Sequence, residues 1–148
     1  MYKSIVVGTD GSETAQRAVV EACALTAALG GVLHVVSAFE PLRGTRVVGA
    51  PAGAAKEWDV KPDAAVQTIV EEAAATARMS GVEVKAHTVT GDPADAVLEV
   101  AEREKADLIV VGNRGMHGMS RVLGSVPNKI SHRAGCSVLI ACTTEPAP

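Results

Sequence analysis

Aromatic side chains are almost missing from this chain: one Trp, one Tyr and one Phe amount to 2% of its 148 residues. Single-stranded nucleic acid is held largely on aromatic stacking platforms, so their scarcity argues against that role. A net charge of -3 and the lack of any recognisable reading motif argue equally against a DNA-binding surface. No apolar run approaches the roughly 20 residues that span a bilayer. The start, Met1-Tyr2-Lys3-Ser4-Ile5-Val6-Val7, passes straight into Gly8-Thr9-Asp10 with no long apolar region and no cleavage-site pattern of a secretory signal. The expectation is a soluble, cytoplasmic protein with no nucleic-acid or membrane partner. Cysteine is scarce too. Cys136 and Cys142 lie on one strand-like stretch, about 20 Å apart at roughly 3.3 Å per residue, too far to bridge, so Cys23, Cys136 and Cys142 read as buried, reduced thiols.

Several catalytic signatures are absent as well. There is no Gly-x4-Gly-Lys-Ser/Thr phosphate loop, and the first strand is followed by Gly8-Thr9-Asp10-Gly11, not by Gly-x-Gly-x-x-Gly. The histidines, His34, His87, His117 and His132, have no metal-site spacing. None pairs with a nucleophile, and Ser12 reads as a helix N-cap.

What the chain does have is Val, Ala, Leu and Ile, within a hydrophobic content of 47%. Such a core suits a parallel sheet covered by alanine-rich helices, and the length suits one domain. Strand patterns over 3–9, 32–38, 82–90, 107–112 and 137–143 alternate with helix patterns from Ser12 or Thr14 to Gly30, over 63–80, from Gly91-Asp92-Pro93 to about Lys105, and over 125–134. The expected inner stripes are Ala15, Ala18, Val19, Ala22 and Cys23 on the first helix, Ala65, Ile69, Ala73 and Ala77 on the second, and Ala94, Val97, Leu98 and Ala101 on the third. This order predicts an α/β fold with a single doubly wound, five-stranded parallel sheet and helices on both faces. The runs Leu108 to Val111 and Val138 to Ala141 are apolar at nearly every position and read as central strands, covered on both faces. The domain is expected over 1–144, with a frayed tail at 145–148 and a long Gly-, Ala- and Pro-rich loop over 40–62. Trp58 is the natural anchor if the loop folds over as a lid.

The most informative stretch runs from Val110 to Pro127. An apolar strand ends in the glycine-rich, basic loop Gly112-Asn113-Arg114-Gly115-Met116-His117-Gly118, which passes through Gly124-Ser125 into a helix. Glycines let main-chain N–H groups approach an oxyanion. Ser125 as N-cap and Pro127 just inside the helix then aim the free N–H groups and the positive dipole end at the loop. Between Leu108 and Thr144 stand four of the 14 basic residues, Arg114, Arg121, Lys129 and Arg133, and none of the 17 acidic ones. The loop therefore reads as a local anion site, with Thr9-Asp10 and Val36-Ser37 expected near it at the carboxyl ends of neighbouring strands.

With these residues in view, the sequence resembles the universal stress protein family over nearly its whole length. The resemblance rests on Ile5-Val6-Val7-Gly8-Thr9-Asp10-Gly11-Ser12, Leu33-His34-Val35-Val36, Ala106 to Gly112, Gly124-Ser125-Val126 and Cys136 to Ile140. It implies the ATP-binding branch, marked by Gly-x2-Gly-x9-Gly-Ser/Thr. Here Gly112-x2-Gly115 matches, but eight residues, not nine, separate Gly115 from Gly124.

Position by position, the resemblance places Asp10 by ribose and phosphates, with Gly8 and Thr9 lining the pocket. Val35 meets adenine through its backbone, and Val111 lies near the nucleoside. Gly112, Gly115, Gly124, Ser125 and Val126 cradle the phosphates. Arg114, His117 and Arg121 stand outside the core motif; Arg114 and Arg121 are the candidate phosphate neighbours. The implied ligand is ATP, with or without Mg, and AMP or cyclic AMP are alternatives. A homodimer through the Val138 to Ala141 edge strand is also implied. No general base is identifiable for hydrolysis, so the function expected is binding that modulates a regulatory interaction, not catalysis. The competing readings are a nucleotide-free stress protein acting through protein contacts and, less well matched at Thr9-Asp10-Gly11-Ser12, an ATP pyrophosphatase.

Overall fold

A computed structural model of the chain describes residues 1–39, 64–113 and 125–143. The elements are β1 (Ser4–Gly8), α1 (Glu13–Leu29), β2 (Val32–Phe39), α2 (Ala64–Met79), β3 (Glu83–Thr90), α3 (Pro93–Arg103), β4 (Leu108–Gly112), α4 (Ser125–Arg133) and β5 (Ser137–Ala141). All strand pairs are parallel, and the sheet order is β3-β2-β1-β4-β5. Strand order reverses between β1 and β4, which makes that gap the topological switch of the sheet.

Alternation of side chains along the strands divides the core in two. Ile5, Val7, Leu33, Val35, Leu108 and Val110 face α1 and α2, whereas Val6, Val36, Ile109 and Val111 face α3 and α4. Small residues let the helices lie close to the sheet, so α1 buries Ala18, Val19, Ala22, Cys23 and Thr26. The stripe on α2 differs from expectation: Ala65 is exposed and Ile69 half-buried, and Val70, Ala73, Ala74 and Ala77 face the core. On α3, Ala96 and Val100 join the buried face and Leu98 lies at its edge.

Helix ends follow local chemistry. Ser12 caps α1, its Oγ accepting from the Ala15 N–H at 3.2 Å, and Gly30 at φ 64° closes it by donating its N–H to Thr26 O. Asp92 caps α3 ahead of Pro93, accepting from the N–H groups of Ala94 (2.9 Å) and Asp95 (3.2 Å). Desolvation works against ionisation of Asp92. The N–H of Asp95 and the Lys129 ammonium at 3.2 Å outweigh it, and the carboxyl sits below its ordinary value. Asp92→Ala should therefore cost about 1 kcal/mol near neutral pH. A depressed pKa gives stability that is present above the unfolded carboxyl's pKa and lost as pH falls through the folded one. Urea denaturation of both proteins should thus show the difference shrinking on acidification below about pH 4.

The run Val138 to Ala141 does not lie in the middle of the sheet. It forms an edge strand, and Ile140 is 38% exposed. An apolar stretch reads alike whether one or both flanks are paired. The thiols also differ from expectation: Cys23 is buried, Cys136 half-buried and Cys142 exposed. The last two flank β5 rather than sit within it.

Candidate functional site

The ladder between β1 and β4 stops at Val7↔Val110, one residue before β1 ends and two before β4 ends. Beyond that point the two chains part. The Thr9 N–H donates to Val36 O of β2 at 2.8 Å, and the Asn113 N–H donates to Ala141 O of β5 at 2.9 Å. A crevice thus opens at the carboxyl ends of the sheet at its topological switch, where open α/β sheets bind ligands.

One wall of the crevice is a turn fixed by its own side chains. Thr9 is buried, and its Oγ1 accepts from the Gly11 N–H at 3.2 Å; Asp10 is exposed, and its Oδ1 accepts from the Ser12 N–H at 2.9 Å. Gly11 has φ 80°, and a Cβ there would lie 2.9 Å from Ile69 Cγ1, so both conformation and space require glycine. Asp10 acts in the local turn yet keeps the rest of its carboxylate open to solvent. Gly8 answers to packing, since a Cβ would meet Val97 Cγ2 at 2.9 Å.

The opposite wall is the end of β4. Gly112 lies against Thr143, 3.1 Å from Cγ2 to a Cβ position. Asn113 Oδ1 accepts from the Thr143 N–H (3.0 Å) and Oγ1 (2.9 Å), tying β4 to the residues after β5. Val111 is buried on the α3 and α4 face, and Val126 of α4 packs beside that cluster. Gly8, Thr9 and Asp10 thus stand at the carboxyl end of β1, and Val111 and Gly112 at that of the neighbouring β4, on either side of the parting. Val35 stands one row back, paired with Val7 and Ala86, its side chain fully buried. Gly115, Gly124, Arg114 and Arg121 lie outside the described residues, as do the loop containing Trp58 and His117.

Two of the basic residues counted toward the anion site have other partners. Lys129 lies 3.2 Å from Asp92 and 3.5 Å from Asp95, and Arg133 also pairs with Asp95. Adjacent packing of α3 and α4 on one face brings these charges together. The local positive charge is thus partly neutralised.

The profile of the universal stress protein family matches residues 1–141. The chain belongs to that family. A universal stress protein of Mycobacterium tuberculosis is 38% identical over 145 residues, covering 97% of this chain and 98% of its own. A solved universal stress protein in complex with cAMP is 34% identical at TM-score 0.74, covering 97% of this chain and 98% of its own. The Archaeoglobus fulgidus universal stress protein in complex with dAMP, at 23% identity, shares the fold with TM-score 0.66 over 94% of this chain and 97% of its own. Among the described residues of this universal stress protein, no helix is long and apolar enough to cross a membrane.

A second polar constellation lies on the α3 face of β2 and β3, and no spacing in the sequence announced it. His34 is 3% exposed, and its Nδ1 lies 3.0 Å from His87 Nε2. The Arg103 guanidinium reaches His87 Nδ1 at 3.0 Å. A guanidinium only donates, so His87 Nδ1 accepts, His87 Nε2 carries the proton, and His34 Nδ1 accepts it. Burial pushes both imidazole pKa values down. The Glu104 carboxyl lies beside them. Desolvation opposes its charge, but the Arg103 hydrogen bond and the nearby imidazoles hold its pKa below the ordinary value.

Proposed function

We propose that this universal stress protein binds an adenine nucleotide in the crevice between β1 and β4, and that occupancy modulates a regulatory contact without catalysis. The observation that carries the reading is the parting of β1 and β4 at the topological switch. That parting leaves Thr9-Asp10 just past the end of β1 and Val111-Gly112 at the end of the neighbouring β4, where the glycine-rich loop begins. Cyclic AMP in a relative 34% identical over nearly the whole chain supports a ligand of the same class.

Asp10 takes the ribose side. The N–H groups at Gly112, Gly115, Gly124, Ser125 and Val126 take the phosphates, with the amino end of α4 supplying its dipole. ATP, AMP and cyclic AMP all fit this division of labour. The eight-residue spacing from Gly115 to Gly124 shortens the cradle by one residue, which favours a ligand with fewer phosphates over Mg-ATP. The active form we infer is a cytoplasmic homodimer joined along β5, where Ile140 leaves apolar surface on an open strand edge.

Isothermal titration of nucleotide-stripped protein with ATP, AMP and cyclic AMP tests this. Micromolar binding to at least one is expected, with a loss of more than about tenfold in Gly115→Val, whose branched side chain blocks approach of the backbone to phosphate. Absence of binding to all three would favour the nucleotide-free reading, in which the protein acts through its contacts with other proteins.

A further inference from the structure

We propose that His34, His87 and Glu104 form a binding site for a divalent transition-metal ion of the zinc class, on the α3 face of the β2 and β3 edge. Among the described residues this is the one cluster of three histidine, cysteine or acidic side chains whose ligand atoms all lie within 4.8 Å of one another. The 3.0 Å between His34 Nδ1 and His87 Nε2 is close to the roughly 3.3 Å separating two nitrogens bound to one tetrahedral zinc. A small opening of the pair accommodates the ion. Two imidazoles and one carboxylate are a donor set that suits zinc and its neighbours over magnesium or calcium.

The scaffold holds the donors in place from three elements. His34 is sealed into β2, and His87 is set by β3, two rows further along by the register His34↔Lys85 and Val36↔His87. Glu104 follows the last turn of α3, where its backbone carbonyl accepts from Ser4 Oγ at 3.2 Å. The Glu104 side chain is 27% exposed, so water reaches the remaining coordination position. Three protein ligands with one open position is the arrangement of an exchangeable site.

Arg103 competes with the metal. Binding through His87 Nε2 requires the ring proton to move, through solvent, to Nδ1, where it meets the guanidinium that now donates to that atom. Arg103 must swing away. Glu99, one turn back on α3 with Oε1 already 3.7 Å from Arg103 Nη1, offers it a partner. Arg103 thus gates the site against metal, and its removal should tighten binding.

The experiment is a Co2+ titration of the untagged full-length protein, followed by the visible absorption of the bound ion and reversed by Zn2+. One ion per chain is expected. His87→Ala and Glu104→Gln should weaken binding by roughly tenfold to a hundredfold or more, and Arg103→Ala should tighten it several-fold. Cys142→Ser and Asp10→Ala should leave it unchanged. Glu104→Gln keeps the test independent of folding, because it alters a partly solvated side chain by one atom. No absorption band in the wild type, or binding that survives both ligand variants, or binding that follows Cys142, overturns the proposal and leaves the two histidines as a hydrogen-bonded pair only.

Discussion

Gly31→Ala is expected to destabilise the fold by about 2 to 3 kcal/mol, while Gly30→Ala, one residue earlier, costs about 1 kcal/mol. The two glycines do different work. Gly30 closes α1 with φ 64°, and a Cβ there has only Lys3 Nζ within 4 Å, at 3.9 Å. Its penalty is conformational. Gly31 has no such backbone requirement, but a Cβ on it would sit 2.7 Å from the Lys3 carbonyl oxygen and 3.1 Å from its carbon. That carbonyl cannot retreat without loss. It accepts from the Val32 N–H at 2.8 Å at the start of the β1 and β2 ladder. The Lys3 N–H is held in turn by the Asp107 carboxylate at 2.9 and 3.1 Å. An added methyl must therefore push β1 off β2 or pull Lys3 from Asp107. Urea denaturation of the three proteins checks the ranking; equal losses, or a larger one at Gly30, would sink the argument.

The same pair shows how far the residue pattern carries. A double glycine after an amphipathic run marks a helix stop, and α1 ends there, but the left-handed turn at Gly30 and the approach of Lys3 to Gly31, which separate the two roles, emerge only in the fold. Five strands and four helices were legible because β-branched runs alternate with alanine-rich runs between glycine, proline and capping residues. The inner stripe of α2 was not. Its apolar residues occupy several faces, so Ala65 and Val70 compete for the core, and only packing against β2 and β3 decides between them. For the crevice, Thr9-Asp10 and Gly112 were legible as carboxyl-end features, whereas the pairing of Lys129 and Arg133 with Asp92 and Asp95 depends on how α3 meets α4. Least legible was the cluster of His34, His87 and Glu104. Its members come from three elements, and register and helix placement bring them together.

Ile130→Ala is expected to cost about 3 kcal/mol and to weaken nucleotide binding from a distance. Helix α4 has nine residues, too few to persist alone in water. Its largest anchor in the domain is Ile130, fully buried in the cluster of Val97, Val100, Ile109 and Val111, with Val126 packed beside that cluster and the partly exposed Lys129 and Arg133 ion pairs added at the surface. Exposed pairs contribute little, whereas truncating a buried isoleucine loses its transfer free energy and leaves a cavity. Lys129→Ala should accordingly cost well under Ile130→Ala, by about 1 kcal/mol at most. The functional consequence follows from where α4 starts. Ser125 and Val126 form its first turn, the end proposed to face the phosphates, so loosening the helix blurs those N–H groups and leaves the Thr9-Asp10 wall intact. Titration of the folded variant should then show the affinity for AMP or cyclic AMP falling more than that for adenosine. An equal fall for all three would mean that the helix supports the whole crevice and not its phosphate side.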